Sequence, residues 1–233
     1  MKTRFCAGAL SAAACALSVA SPAWAGTVDI GLALNGGAIT TEATGSGSAT
    51  LGSTSLGGFT IVRVLAEETG TVVGNPGPEY IGLDANTLDL TSRGNTNTLD
   101  VWVTETGLTS PIPALQFVSG LTANLLAPGW TLTEMTFVDN SNAAYGTGSP
   151  LASNVFTKIG SISATTGVSV PSTFSVTEEF IVNSNKLPGS SNSTIDVTAN
   201  IPEASTWAML GLGFAGLGLL RWAKPRAKAR YAV

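Results

Sequence analysis

The chain has 233 residues, of which 44% are hydrophobic and 11% charged, and it contains no histidine. Average soluble domains carry about 25% charged residues, so this chain has less than half the usual charge. Those figures exclude a nucleic-acid binder built on basic patches and any zinc or catalytic site that needs imidazole.

Residues 1–25 have the layout of a secretory signal peptide. Lys2 and Arg4 form a basic start, and the stretch from Phe5 to Val19 has no charge. Ser21-Pro22 breaks the helix, and Ala23-Trp24-Ala25 places small residues at the −3 and −1 positions of a cleavage site, so the mature chain is expected to begin at Gly26. Cys6 and Cys15 both fall inside the leader. The mature protein is therefore expected to have no disulfide, although its compartment would permit one, and must rely on a packed core.

Residues 26–200 read as one β-rich exported domain. It holds four basic residues (Arg63, Arg93, Lys158 and Lys186) against 14 acidic ones, a net charge of −10 that repels nucleic acid and anionic lipid. Apolar residues recur with period two. Leu99, Val101 and Val103 alternate with Thr98, Asp100, Trp102 and Thr104; Phe174, Val176, Phe180 and Val182 share a parity with Glu178; Ile195 and Val197 alternate with Thr194, Asp196 and Thr198. Phe59–Leu65 and Trp130–Val138 read as further strands. Turn clusters stand at residues 74–78, 92–95, 139–142 and 187–190, and no amphipathic helix with caps is present. The expected fold class is all-β, an antiparallel β-sandwich or a barrel-like closure. Phe59, Phe117, Phe137, Phe156, Phe174, Phe180, Trp102 and Trp130 are expected to supply much of the core. Trp102 sits on the polar parity of its strand, where a sugar-stacking platform is the alternative to packing. The Gly-, Ser- and Thr-rich stretch 36–58 is read as low complexity, with a weak edge strand as the alternative.

Candidate chemistry in this domain is sparse. No histidine can activate a serine or threonine, and the doublets Glu67-Glu68 and Glu178-Glu179 point to opposite faces of a strand and read as solvated surface charge. An acid pair assembled across strands is the remaining route to hydrolysis. Asp139-Asn140-Ser141-Asn142 and the run Asp84–Asp89 offer oxygen ligands of the kind calcium takes, but Asx-turns explain them more simply. No catalytic residue, metal or cofactor is assigned.

The C-terminal segment, residues 201–233, has three parts in order. Ile201-Pro202-Glu203-Ala204 precedes an uncharged run from Trp207 to Leu220, and Arg221, Lys224, Arg226, Lys228 and Arg230 follow with no acid among them. The run suits a short transmembrane helix over about residues 206–222, with Trp207, Leu210, Gly211, Phe214, Gly216 and Leu220 in the span. The basic cluster favours the cytoplasmic side and leaves the acidic domain outside the inner membrane. Together these parts resemble the PEP-CTERM sorting signal, with Ala204 where that family usually has a second proline.

The resemblance implies recognition at Pro202 and Glu203 by an exosortase, an integral-membrane transpeptidase-like enzyme. Release or transfer to the cell surface would follow, typically in Gram-negative bacteria that make exopolysaccharide. The reading is thus an exported, non-catalytic cell-surface or matrix protein. Its expected partners are the sorting enzyme, the inner membrane before processing, and exopolysaccharide. The alternative is a carbohydrate- or ice-binding module using the same delivery route.

Overall fold

The computed structural model describes residues 26–68, 79–94, 97–110 and 113–201, together with Leu212 and Phe214. The leader with Ala23 and Ala25 lies outside the described residues. So do the turn cluster at 74–78, Pro202, Glu203, Trp207, Leu210, Gly211, Gly216, Leu220, Arg221, Lys224, Arg226, Lys228 and Arg230. Leu212 and Phe214 are helical and exposed, and no helix among the described residues is long and apolar enough to cross a membrane.

The domain is built from strands β1 (Thr27–Leu34), β2 (Thr40–Ser46), β3 (Ser48–Leu51), β4 (Thr54–Leu56), β5 (Phe59–Glu68), β6 (Glu79–Arg93), β7 (Thr98–Thr109), β8 (Ala114–Leu126), β9 (Thr131–Asp139), β10 (Ser149–Phe156), β11 (Gly160–Ser169), β12 (Thr173–Asn183) and β13 (Pro188–Ile201). Every pairing is antiparallel. One sheet runs β10-β9-β12-β7-β1-β2 and the other β11-β8-β13-β6-β5-β3, with β4 on β5. The expected antiparallel sandwich is the observed fold. β12 has β7 and β9 as neighbours and β13 has β6 and β8, so each sheet is held at its middle by one of the last two strands of the chain.

The inner faces pack as the parity of their residues dictates. Leu99, Val101 and Val103 of β7, Phe180 and Val182 of β12 and Ile195 and Val197 of β13 are all buried. Two edge-to-face pairs lock aromatic rings into this core: Phe59 with Trp130 at 6.3 Å and Phe117 with Phe174 at 6.2 Å. Trp130 is wholly buried, and its indole N–H donates to the Leu187 carbonyl at 3.1 Å. Phe137 and Trp102 depart from expectation. Both lie on the outer face of their sheet and are only partly buried.

The stretch 36–58 also departs from the low-complexity reading, because it forms the edge strands β2 and β3 and the short β4. A backbone ladder needs little side-chain bulk, and buried Ala49 and Leu51 anchor β3 to the core. The edge strand β2 has no buried side chain.

The largest departure concerns charge. Glu178, expected on the surface, is wholly buried, as are Glu105 and Glu134. All three point into the sandwich from the same sheet. Glu105 pairs with Val176, Glu178 with Val103 and Thr136, and Glu134 with Phe180, so the acids form a diagonal stripe across β7, β12 and β9. Opposite them the second sheet is irregular, with register shifts in β5, β6, β13 and β8 near Ala66, Ala85, Ser193 and Ala123. The Ala85 and Thr122 amides approach Glu178 and Glu134 closely enough to favour their charged forms, yet neither carboxyl makes a hydrogen bond of ordinary geometry. Burial dominates. It lifts Glu134 to about 8 and Glu178 well above its ordinary value, the latter aided by the charges of Asp84, Asp196 and Glu134.

Both acids are thus protonated in the folded state where the unfolded chain ionises them. Their contribution is fully present below pH 4.5 and is lost as pH rises towards about 8 for Glu134. The melting temperature should fall continuously across that window. Glu178→Leu should raise stability at the alkaline end by about 1–3 kcal/mol, the usual cost of a buried unsatisfied polar group, and flatten the profile, as read by denaturant unfolding at each pH. Trp130→Ala should cost about 3–5 kcal/mol at every pH.

Candidate functional site

The outer face of the first sheet is partly roofed by two connections. At one end the β1–β2 turn is closed by a Gly37 amide donating to the Leu34 carbonyl at 3.0 Å. Its Asn35 and Gly36 have φ of 54° and 66°, the left-handed pair that a tight type I′ turn requires. Asn35 ties the turn to β7 through its own amide, which donates to the Thr98 carbonyl, and its Oδ1, which accepts from the Thr98 amide at 2.8 Å.

At the other end the β9–β10 connection folds over β7 and β12. Asp139 accepts from the Ser141 amide and hydroxyl, both at 2.7 Å, which is the Asx-turn chemistry weighed against calcium. Asn142 caps the Gly107 amide at 2.7 Å. The second candidate calcium run, Asp84–Asp89, is not a loop but part of strand β6, and Asp89 accepts from Asn192. No cluster of three or more potential metal ligands occurs among the described residues.

Tyr145 completes that roof. Its amide donates to the Thr104 hydroxyl at 3.0 Å, its phenol donates to Thr41 at 3.0 Å, and the ring lies on Gly31. A Cβ at residue 31 would stand 2.8 Å from the ring, so glycine there lets Tyr145 seal one end of the face. Beneath it the Thr104 and Thr177 hydroxyls share a buried hydrogen bond of 2.9 Å.

Between the two roofs the face stays open as a groove of about 490 Å³, within the range of small-molecule sites. Its floor comes from three adjacent strands: Ala33 of β1, Asp100 and Trp102 of β7, and Glu179 and Ile181 of β12, with Ile39 on the rim. Register explains the grouping. Glu179 stands opposite Trp102 and Ile181 opposite Asp100, so Asp100 and Glu179 are diagonal neighbours. Asp100 accepts from the Gly36 amide at 2.9 Å. The Trp102 indole nitrogen is buried and has no hydrogen-bond partner.

Both acids are shielded from bulk water, though only one layer deep. Burial raises Asp100, with the Gly36 amide opposing. Burial, then the Asp100 charge, lifts Glu179 to about 7. Near neutrality the groove therefore offers an acceptor and a proton donor beside the partly buried Trp102 and the apolar Ala33, Ile39 and Ile181. It also realises the cross-strand acid pair left open by the sequence. The doublet reading holds in its geometry, with Glu178 inward and Glu179 outward, but neither is solvated. Strand parity alone signals Asp100, Trp102 and Glu179, whereas their convergence depends on β12 lying beside β7.

Residues 200–221 match the model of the PEP-CTERM protein-sorting motif. That motif implies export and processing by an exosortase-type enzyme. No curated protein matches the chain. Among solved structures, one from the infectious bursal disease virus Gx strain aligns with 11% identity and a TM-score of 0.31, covering 79% of this chain and 53% of its own. The chain thus spans about half the length of that viral chain. A second comes from work on the promiscuous specificity of carbohydrate-binding modules of the β-sandwich superfamily. It aligns with 13% identity and a TM-score of 0.29, covering 74% of this chain and 84% of its own.

Replacing the neighbouring charge should relax the groove's titration. In Asp100→Asn, Glu179 should titrate below its value of about 7 but stay above the ordinary range, because burial is the larger cause. Carbon-detected NMR of the glutamate carboxyl groups reads that shift directly.

Proposed function

We propose that this chain is an exported, non-catalytic surface protein whose sandwich holds a neutral polysaccharide in the Asp100–Trp102–Glu179 groove. The observation that carries the reading is the partly exposed Trp102 side chain flanked by the Asp100 and Glu179 carboxyls in an open groove. Sugar hydroxyls both donate and accept, which suits a carboxylate acceptor beside a carboxyl that titrates near neutrality, and sugar C–H faces suit Trp102, Ala33, Ile39 and Ile181. The net charge of −10 over residues 26–200 disfavours an anionic polymer.

Delivery follows the motif. The leader ends at Ala25, the domain occupies residues 26–200, and residues 201–233 anchor it transiently in the inner membrane with the domain facing the periplasm. Pro202 cannot continue a helix and biases Ile201 towards an extended form, which leaves the segment before the membrane open to the sorting enzyme. Glu203 supplies the specific contact, and the cluster from Arg221 to Arg230 sets orientation. The processed protein reaches the cell surface or the matrix.

Affinity electrophoresis of the full chain in gels of the host's own exopolysaccharide tests the binding. Trp102→Ala should weaken retention at least about tenfold, equivalent to about 1.4 kcal/mol, with the strand signature in far-UV circular dichroism retained. Retention that survives Trp102→Ala and Glu179→Ala defeats the groove reading, and hydrolysis of the polymer would turn the acid pair into a catalytic one. For sorting, Glu203→Ala should stay membrane-anchored but unprocessed. Replacing Arg221, Lys224, Arg226, Lys228 and Arg230 by Gln should impair anchoring itself. Immunoblots of membrane and extracellular fractions, with and without the exosortase, read both outcomes.

A further inference from the structure

We propose that the α-ammonium group of Gly26, released when the leader is cut after Ala25, is the buried counter-ion of Glu105 and Glu68 and completes the fold at the start of β1. The inference rests on the leader reading of residues 1–25 and is independent of the groove.

Gly26 is buried although it stands just before the first strand. Its carbonyl accepts from the Gly47 amide at 2.9 Å, and its own N–H is directed at the Glu68 carboxylate. Beside it lies Glu105, wholly buried, with no hydrogen-bond partner on either carboxylate oxygen. The approach is so close that a Cβ on residue 26 would overlap a Glu105 carboxylate oxygen and stand 2.8 Å from the Thr106 carbonyl. Only glycine fits, and glycine is what the cleavage pattern makes the first residue.

Two carboxyl groups from opposite sheets therefore converge on residue 26, Glu68 of β5 at its backbone N–H and Glu105 of β7 beside its α-carbon. Glu105 is otherwise enclosed by its cross-strand neighbours Val28 of β1 and Val176 of β12, and the titratable group acting on it is Glu68. While residue 25 is attached, that nitrogen is an uncharged amide with a single proton, and burial followed by the Glu68 charge holds Glu105 up at about 9. Hydrolysis of the 25–26 bond adds water across it. Ala25 leaves with the new carboxylate, and the Gly26 amine takes up a proton. The resulting ammonium has three donors and a full positive charge, enough to serve Glu68 and the empty oxygens of Glu105 together.

The test uses the mature chain from Gly26 to Val233 in detergent, freed from an N-terminal tag so that it begins either at Gly26 or at one added alanine before it. The Gly26 form should melt higher at neutral pH. Its α-amine should be acylated at least about tenfold more slowly in the folded than in the unfolded chain, corresponding to about one pKa unit. Glu105→Gln combined with Glu68→Gln should abolish both differences, whereas Glu67→Gln, at an exposed neighbour, should leave them. If the double variant does not fold, the two unsubstituted chains and the acylation rate decide. Equal melting together with equal acylation overturns the proposal. So does N-terminal sequencing of the exported protein that finds a first residue other than Gly26.

Discussion

Contact between two apolar inner faces is the interaction on which this molecule stands. Cys6 and Cys15 lie in the first 25 residues, so no disulfide staples the sheets, and cohesion falls to interlocked side chains such as the Phe59–Trp130 and Phe117–Phe174 pairs. A core of this kind is non-directional and tolerant. It can carry Glu134 and Glu178 through its middle, provided the surrounding apolar area is large and these two acids stay neutral. The Ser119–Thr136 hydrogen bond of 2.8 Å between the sheets is the polar contact that fits this interior without such a cost.

Strands are legible from sequence wherever one side of the chain is uniformly apolar. The parity of Leu99, Val101 and Val103 places the inner face of β7 correctly, and that of Ile195 and Val197 does so for β13. β10 and β11 are not legible, because edge strands with few buried side chains need no apolar alternation. In β9 the rule misleads: Glu134 and Thr136 point inward while Met135 and Phe137 point outward, so Phe137 is not in the core. Hydrophobicity of individual residues would reverse that face, whereas the parity of Leu132 and Val138 preserves it.

The groove is a different kind of omission. Trp102 already stands on the outward parity of its strand, and Glu179 on that of its own, but 77 positions separate them in the chain. Their meeting depends on β12 entering between β7 and β9, a long-range pairing that no local pattern encodes. The roofs are closer to local rules. Asn35-Gly36 is a recognisable hairpin turn and Asp139-Asn140-Ser141 a recognisable Asx-turn. What each covers becomes apparent only once the sheet beneath it exists.

The placement of β12 and β13 at the centres of their sheets has a consequence for how the chain is handled while it is still being threaded. β12 begins at Thr173, so a polypeptide delivered N-terminus first has every other strand out before either sheet can close. Until then β7 and β9, and likewise β6 and β8, have no strand between them, and the apolar faces lack their middle rows. The keystones arrive last, immediately ahead of the matched segment at residues 200–221. Neither sheet can be completed, whatever the order of folding, before the last 61 residues of the chain are available.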